Sequence, residues 1–125
     1  MDFHPNAEHE AIRTAIRAVM QDFPDEYWSA KDQAHAFPWE FYDAIAKGGW
    51  LGTAIPPEYG GSGLGVTEAG IVLGEVAACG GTMNAASAIH ISMFGINPVI
   101  KHGHEAMRRE WVPRVVYSYF SQPLA

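Results

Sequence analysis

The sequence predicts one all-α domain, a helical bundle of about five to six helices. Apolar residues recur at helical spacing along most of its 125 residues, and glycine or proline interrupts these runs at short intervals. Nearly half of the residues (48%) are apolar, which is enough to form a packed core in a domain of this size. Consecutive helices with short connections are typical of a bundle.

The first three helices are predicted from their caps and apolar faces. The first begins after Asn6, a good N-cap residue, and ends at Pro24; a shorter helix follows within residues 24–34. The third begins at Pro38, which suits a first helical position, and ends at Gly48 or the next glycine. The apolar face of the first helix comprises Ile12, Ile16, Val19, Met20 and Phe23.

The second half of the chain predicts three more helices. Thr67 is the expected cap of one that ends at Gly80–Gly81, and Thr82 is the expected cap of the longest. Pro98 lies inside this longest helix and should kink it, because proline lacks a backbone N–H. The final helix opens near Glu105.

The tail breaks the helical pattern. Residues 115–125 (VVYSYFSQPLA) are β-branched and aromatic and alternate like a strand, but no partner strand precedes them. A lone strand of this kind either packs against another unit or remains unstructured.

Composition excludes several classes of partner. A net charge of −6 argues against nucleic acid or an anionic membrane as the main partner. No run approaches the roughly 20 apolar residues that cross a bilayer, and the acidic N-terminus is unlike a secretory signal. Cys79 is the only cysteine, so no internal disulfide can form. We therefore expect a protein of the reducing cytoplasm.

The segment IPPEYGGSGLG (residues 55–65) resembles phosphate-binding loops in its four glycines. The dinucleotide fingerprint fails because Val66 stands where the third glycine is needed, and the P-loop fails because Val66 stands where lysine is needed. A connector between two helices is the favoured interpretation.

Other candidate groups are also explained by structural roles. His102, His104 and Glu105 resemble a metal cluster, but they straddle a helix boundary, so we predict no metal site and expect His104 to cap the next helix. Cys79 is predicted to be a small core residue, and His90 is either a core histidine or part of a cavity.

Two carboxylates on one helix invite an acid/base interpretation. Glu68 and Glu75 are seven residues apart and share a face, which separates them by roughly 10 Å. That distance is wide for paired carboxylate chemistry. We expect one to be solvated and the other to pair with a cation from another helix.

The longest helix mixes small residues with large apolar ones, including Met83, Ile89, Ile91, Met93 and Phe94. This pattern fits either tight helix packing or the wall of an apolar pocket. Periodicity alone does not separate the two.

Two long segments, taken in order, resemble one known family. Residues 37–77 carry an FP…GW-G…P-E-x-GG-x-G…E-x-A pattern, and residues 88–115 carry an H-x-S…P-x-x-x-x-G…W-x-P pattern. Their order and spacing resemble the N-terminal helical domain of the acyl-CoA dehydrogenases. The resemblance covers residues 1–116, and residues 117–125 depart from it.

The resemblance implies a larger flavoprotein. Members of that family bind FAD and remove α and β hydrogens from acyl-CoA thioesters; acyl-CoA oxidases and flavin monooxygenases share the scaffold. The family's β-domain and C-terminal bundle, which hold the catalytic base and most flavin contacts, have no counterpart in this sequence. The sequence leaves open whether this chain is an engineered piece, the product of a shortened reading frame or a natural remnant.

The resemblance also implies a set of pocket residues. The helix that lines the family's acyl pocket corresponds here to Ser87, His90, Ile91 and Phe94, with Met83 and Asn84 as alternatives if the register shifts by a turn. No catalytic or flavin-binding residue is expected in this chain. We expect no dehydrogenase activity from it alone, and self-association through an exposed apolar face.

Overall fold

A computed structural model of the protein describes residues 4–117, and this part of the chain is helical without strands. The all-α prediction is confirmed. Within the described range the α-helices number seven: α1 (Ala7–Met20), α2 (Asp25–Gln33), α3 (Trp39–Lys47), α4 (Val66–Val76), α5 (Thr82–Gly95), α6 (Asn97–His102) and α7 (Glu105–Val116). Two 3-10 turns (Trp50–Gly52 and Pro57–Tyr59) lie between α3 and α4, and a kinked turn (Ala77–Gly81), in which Gly80 has a φ of 96°, joins α4 to α5.

The break near Pro98 is stronger than a kink. It separates α5 from α6, with Pro98 in the first turn of α6, so the predicted fifth helix, the longest one, becomes two. A proline is tolerated in a first turn because the N–H it lacks has no intrahelical acceptor there. This division accounts for the one helix beyond the predicted five to six.

Helix caps were predicted with mixed success. The Asn6 side chain accepts from the backbone N–H of His9 at 2.8 Å, as expected. The Thr67 prediction was wrong: α4 begins at Val66, and its first turn is closed by the Glu68 carboxylate, which accepts from the Gly65 N–H at 2.7 Å. The Thr82 prediction was also wrong, because Thr82 starts α5 with a φ of 47° and makes no capping hydrogen bond.

Two apolar clusters hold the helices together. The larger one lies between α1, α3, α4 and α5, and Cys79 packs half-buried against it, as predicted. Its fully buried side chains include Ile16, Phe41, Ile45, Leu51, Val72, Val76 and Ile89. The smaller cluster packs α7 against the glycine-rich segment and comprises Ile55, Tyr59, Val112, Val115 and Val116.

The described chain ends where the strand-like tail was predicted to begin. Val115 and Val116 belong to α7, so the first two residues of that prediction are helical. The rest of the tail, residues 118–125, lies outside the described residues, and the domain boundary at residue 116 stays a prediction. Between residues 4 and 117, no helix is long and apolar enough to cross a membrane.

Candidate functional site

An apolar pocket of about 400 Å³ opens between the start of α3 and one face of α5. Ligand pockets in proteins begin at roughly 300 Å³ and are mostly apolar with a few placed polar groups. This pocket fits that description. Its lining residues are Phe37, Trp39, Tyr42, Ser87, Ala88, Ile91, Ser92, Gly95, Ile96 and Val115.

One wall of the pocket is aromatic. The ring centroids of Phe37 and Trp39 are 4.4 Å apart, and both rings contact Tyr42 with centroids 5.8 and 5.9 Å away. Pro38, fully buried, lies between the first two and fixes the backbone at the start of α3. Phe37 and Trp39 nevertheless remain exposed, so the mouth of the pocket presents two large apolar rings to solvent.

The opposite wall is a face of α5. Its lining residues recur at 87, 88, 91, 92 and 95, the repeat of an α-helix, and all but Ile91 are small. Small side chains leave room for an occupant between this face and the aromatic wall.

A pair of hydroxyl groups forms the polar part of the lining. The Tyr42 hydroxyl and the Ser92 hydroxyl are 2.8 Å apart. Tyr42 is buried and Ser92 half-buried, so this hydrogen bond also joins α3 to α5. Ser87 supplies a further, exposed hydroxyl on the same wall.

The structure brings two of the four predicted pocket residues to this pocket. Ser87 and Ile91 line it, whereas His90 and Phe94 are not among its lining residues. Phe94 packs against the larger core, and its ring lies 5.3 Å from that of the exposed His90. The alternatives, Met83 and Asn84, lie a turn earlier and do not line the pocket either.

The sequence did not indicate the aromatic wall. Phe37, Trp39 and Tyr42 are separated from α5 by some 45 residues, and only the folded chain brings them together. One feature of the sequence could have indicated this wall. Two large aromatic residues flank a proline at the start of a predicted helix, and the apolar face of that helix accounts for only one of the two.

The glycine-rich segment makes no phosphate site. Every backbone N–H from Tyr59 to Gly65 donates to an acceptor within the protein. For example, the Ser62 N–H donates to the Gly52 carbonyl at 2.9 Å and the Leu64 N–H to the Thr53 carbonyl at 3.0 Å. A phosphate cradle needs several converging N–H groups that are unused. The interpretation of this segment as a connector is confirmed.

The two carboxylates of α4 are both engaged by α1. Glu75 is buried (4% exposed) and pairs with Arg13 and Arg17, as predicted for one of the two. Hydrogen bonding from Arg17 lowers the pKa of Glu75, against the opposing effect of burial. These partners keep the carboxylate charged and unavailable as a proton acceptor.

Glu68 differs from the prediction that it would be solvated. One oxygen lies 2.9 Å from the His9 ring nitrogen, and the other accepts from the Gly65 N–H. The hydrogen bond to His9 is the main cause of the lowered pKa of Glu68. Because both carboxylates are held by other groups, they form no acid/base pair.

The histidines near α7 have separate structural roles. The His104 ring Nδ1 accepts from the Met107 N–H at 3.2 Å, which confirms the predicted cap. Glu105 instead pairs with Arg109, at 2.6 Å, and His102 lies in the last turn of α6. Across residues 4–117, no group of three or more histidine, cysteine or acidic side chains could hold a metal ion.

Comparison with known proteins identifies the family. Residues 6–118 match the family model described as "Acyl-CoA dehydrogenase, N-terminal domain". The chain belongs to this family.

Relatives of this acyl-CoA dehydrogenase N-terminal domain include enzymes that are named for opposite directions of reaction. An acyl-CoA dehydrogenase of Mycobacterium tuberculosis is 30% identical over 90% of the chain, and mitochondrial isovaleryl-CoA dehydrogenase of Bos taurus is 26% identical over 96%. Acryloyl-CoA reductase (NADH) of Anaerotignum propionicum is 29% identical over 92%. The chain spans only 28–29% of the length of these relatives.

A solved structure supports the fold. The chain is similar, with a TM-score of 0.77 over 94% of its length, to one in a structure titled "Electron transferring flavoprotein of Acidaminococcus fermentans: Towards a mechanism of flavin-based electron bifurcation". The sequence identity is 22%, and the match covers 30% of that chain.

Neither the apolar pocket nor the glycine-rich segment of this acyl-CoA dehydrogenase N-terminal domain fits the pyrophosphate of FAD. The pyrophosphate of a dinucleotide needs cationic side chains or unused N–H groups. The pocket lining has no cationic side chain, and the glycine-rich segment has used its N–H groups internally. The apolar pocket instead suits an uncharged carbon skeleton.

Proposed function

We propose that this chain forms one wall of an acyl-binding site in an acyl-CoA dehydrogenase-type flavoprotein. In the complete protein, the reaction would be the FAD-dependent α,β-dehydrogenation of an acyl-CoA thioester. The family match and the apolar pocket between α3 and α5 support the proposal. The pocket is the observation that carries it, because a saturated acyl chain needs an apolar wall and little else.

The contribution of this domain is binding and positioning. Burying each CH₂ group of an acyl chain is worth about 0.8 kcal/mol, so a chain placed against Ile91 and the aromatic wall gains affinity with length. The pocket lining contains neither a carboxylate nor an imidazole, so it offers no group for removing an α-proton. We assign chain contact to Ser87 and Ile91, and His90 and Phe94 stay predicted pocket residues.

The test compares acyl-CoA thioesters of increasing length. Isothermal titration calorimetry with CoA and with butanoyl-, hexanoyl- and octanoyl-CoA should show affinity rising by up to about fourfold per methylene. Equal affinity for CoA and octanoyl-CoA would overturn the proposal.

A matched pair of variants locates the binding. Ile91 and Met83 are on the same helix and equally exposed (75% and 74%), but only Ile91 lines the pocket. Ile91→Ser should reduce the dependence on chain length, whereas Met83→Ser should leave it unchanged. Equal effects of the two substitutions would place the acyl chain elsewhere.

A second candidate function, a binding or self-associating module, rests on the exposed rim of the same pocket. Phe37, Trp39 and Ile91 present large apolar side chains to solvent, and such surfaces often mark interfaces. Sedimentation velocity across a hundredfold concentration range should show association that Trp39→Ser weakens. A monomer at all concentrations would exclude this function.

We also infer a cytoplasmic location. The inference rests on a chain with one cysteine and no disulfide. Fractionation of cells that express the native gene tests it, and recovery in a secreted fraction would contradict it.

A further inference from the structure

The hydroxyl pair of Tyr42 and Ser92 is an unusual feature in an otherwise apolar pocket. Both residues line the pocket, and their oxygens are 2.8 Å apart. A hydrogen bond between α3 and α5 is one result of this pair. The pair also has donor capacity that this bond does not use.

Two hydroxyl groups carry two O–H donors between them, and the bond that joins them uses one. The remaining O–H has no further hydrogen-bond acceptor within residues 4–117. Which of the two residues retains it depends on the direction of the bond. In either case one O–H donor stays available at the wall of the pocket. A ligand that covers this donor without accepting a hydrogen bond from it binds with lower affinity.

We propose that the acyl group bound here carries an oxygen substituent, hydroxyl or oxo, that accepts a hydrogen bond from the Tyr42–Ser92 pair. This inference rests on the proposed acyl-binding function and specifies its substrate class. The aromatic wall of Phe37 and Trp39 contacts the carbon skeleton, and the hydroxyl pair fixes the position of the oxygen. An unsubstituted chain would cover the donor without satisfying it. Sites built to hydrogen-bond a ligand oxygen discriminate against ligands that lack it.

The experiment compares octanoyl-CoA with a set of hydroxyoctanoyl-CoA isomers that carry the hydroxyl at successive carbons. The dissociation constants are measured on the whole chain by isothermal titration calorimetry. One isomer should bind roughly threefold to tenfold more tightly than octanoyl-CoA, the range expected of one hydrogen bond. Isomers with the hydroxyl at other carbons should bind more weakly than octanoyl-CoA, because their oxygen is buried without a partner.

Substitutions of both hydroxyl residues assign the preference to the pair. Either hydroxyl alone would still supply one O–H donor, so the double variant Tyr42→Phe/Ser92→Ala, which has neither, should reduce the preference to onefold or below. Ser92→Thr, which keeps the hydroxyl, should retain it. Ser29→Ala is the control, since Ser29 is an exposed helical serine of α2 that does not line the pocket, and it should retain the preference. Circular dichroism melting separates the preference from stability: a merely structural pair would change the melting temperature of the double variant and leave the ratio of affinities alone.

The outcomes separate the two proposals. If no acyl-CoA binds more tightly than CoA, the acyl-binding function fails and this inference fails with it. If affinity rises with chain length but no hydroxylated isomer is preferred, only the inference is overturned. A preference that survived in Tyr42→Phe/Ser92→Ala would also overturn it.

Discussion

Arg17 of α1 and Glu75 of α4 form an ion pair in which the Arg17 Nε lies 2.8 Å from a Glu75 carboxylate oxygen. Arg13, one turn earlier on α1, donates to the other oxygen of the same carboxylate. Glu75 is buried, so its charge is tolerated only because the guanidinium groups of Arg13 and Arg17 pair with it. The interaction joins the two helices that make the most extensive contact in the described chain.

Removing this charge should destabilise the domain. Glu75→Gln keeps the size of the side chain but loses charge-assisted hydrogen bonds, which are worth roughly 1.5–3 kcal/mol in total for such a group. Both arginines are partly exposed and can be solvated again, which keeps the cost within this range. Urea denaturation at pH 7 measures the change, and an unchanged free energy of unfolding would contradict this assignment.

The pH dependence of stability should follow from the same carboxylate. The folded-state pKa of Glu75 is lowered, chiefly by the hydrogen bond from Arg17, so the folded state binds a proton less readily than the unfolded state. The stabilisation is therefore present above the unfolded pKa of about 4.3 and is lost as the pH falls through the lower, folded pKa. The difference in unfolding free energy between wild type and Glu75→Gln should be constant from pH 7 to about 5 and shrink below that. A difference that grew on acidification would contradict the sign.

A second prediction concerns the end of α2. His35 has a φ of 49°, and its N–H donates to the Asp32 carbonyl while the Ala36 N–H donates to the Lys31 carbonyl. This is the Schellman arrangement, in which the left-handed position favours glycine.

His35→Gly should therefore raise the free energy of unfolding by up to about 1 kcal/mol, or the melting temperature by a few degrees. Ala34→Gly is the control: Ala34 has right-handed backbone angles, so glycine there should destabilise. Thermal melts measure the melting temperatures of the two variants. Shifts of the same sign would disprove the assignment of a left-handed position that favours glycine to His35.

The helices were predictable because local signals agree with the tertiary structure. The apolar repeat of α1 and the glycines after α3 act within a few residues, and both were interpreted correctly. The caps at Thr67 and Thr82 failed because other groups took those positions: the Glu68 carboxylate holds the first turn of α4, and the kinked turn Ala77–Gly81 leads directly into α5. Capping propensity indicates which residue types suit a helix cap. It does not show which neighbouring group makes the capping hydrogen bond in the folded chain.

The candidate site was predictable only on one side. Periodicity and family resemblance indicated that α5 could line a pocket, and they identified Ser87 and Ile91. The sequence could not show which flank of α5 faces the cavity, since that depends on how α3 packs across it. Tyr42 illustrates the limit: its partner Ser92 is 50 residues away, and nothing local to either residue indicates the pairing.

Pocket volume gives a third prediction, about the length of the bound acyl chain. Ala88 lines the pocket from α5, and Ala88→Leu would place three additional carbons inside it. Long acyl-CoA thioesters should then lose up to about fourfold in affinity for each methylene that is displaced, while short ones should be unaffected. Ala18→Leu, on the exposed side of α1, is the control. Titration calorimetry with butanoyl- and octanoyl-CoA would contradict the pocket assignment if both affinities fell equally.

The glycine-rich connector gives a fourth prediction. A Cβ atom at Gly61 would lie 2.0 Å from the Ile55 carbonyl oxygen, a contact that only a backbone shift could relieve. That carbonyl also accepts from the Gly63 N–H, so the shift would disturb the hydrogen bonds that bring the connector against α7. Gly61→Ala should cost at least 2 kcal/mol, roughly the effect of forcing strain into a packed core.

Gly74→Ala is the matched control for this substitution. Gly74 lies on the exposed face of α4, and a Cβ atom there would meet no other atom within 4 Å. Alanine in a helix interior is favoured over glycine by about 1 kcal/mol, so this variant should be more stable than wild type. Urea denaturation of both variants measures the contrast. If Gly61→Ala were as stable as Gly74→Ala, close packing of the connector would not explain why glycine occupies position 61. The hydrogen-bonded geometry of the connector would then need another cause.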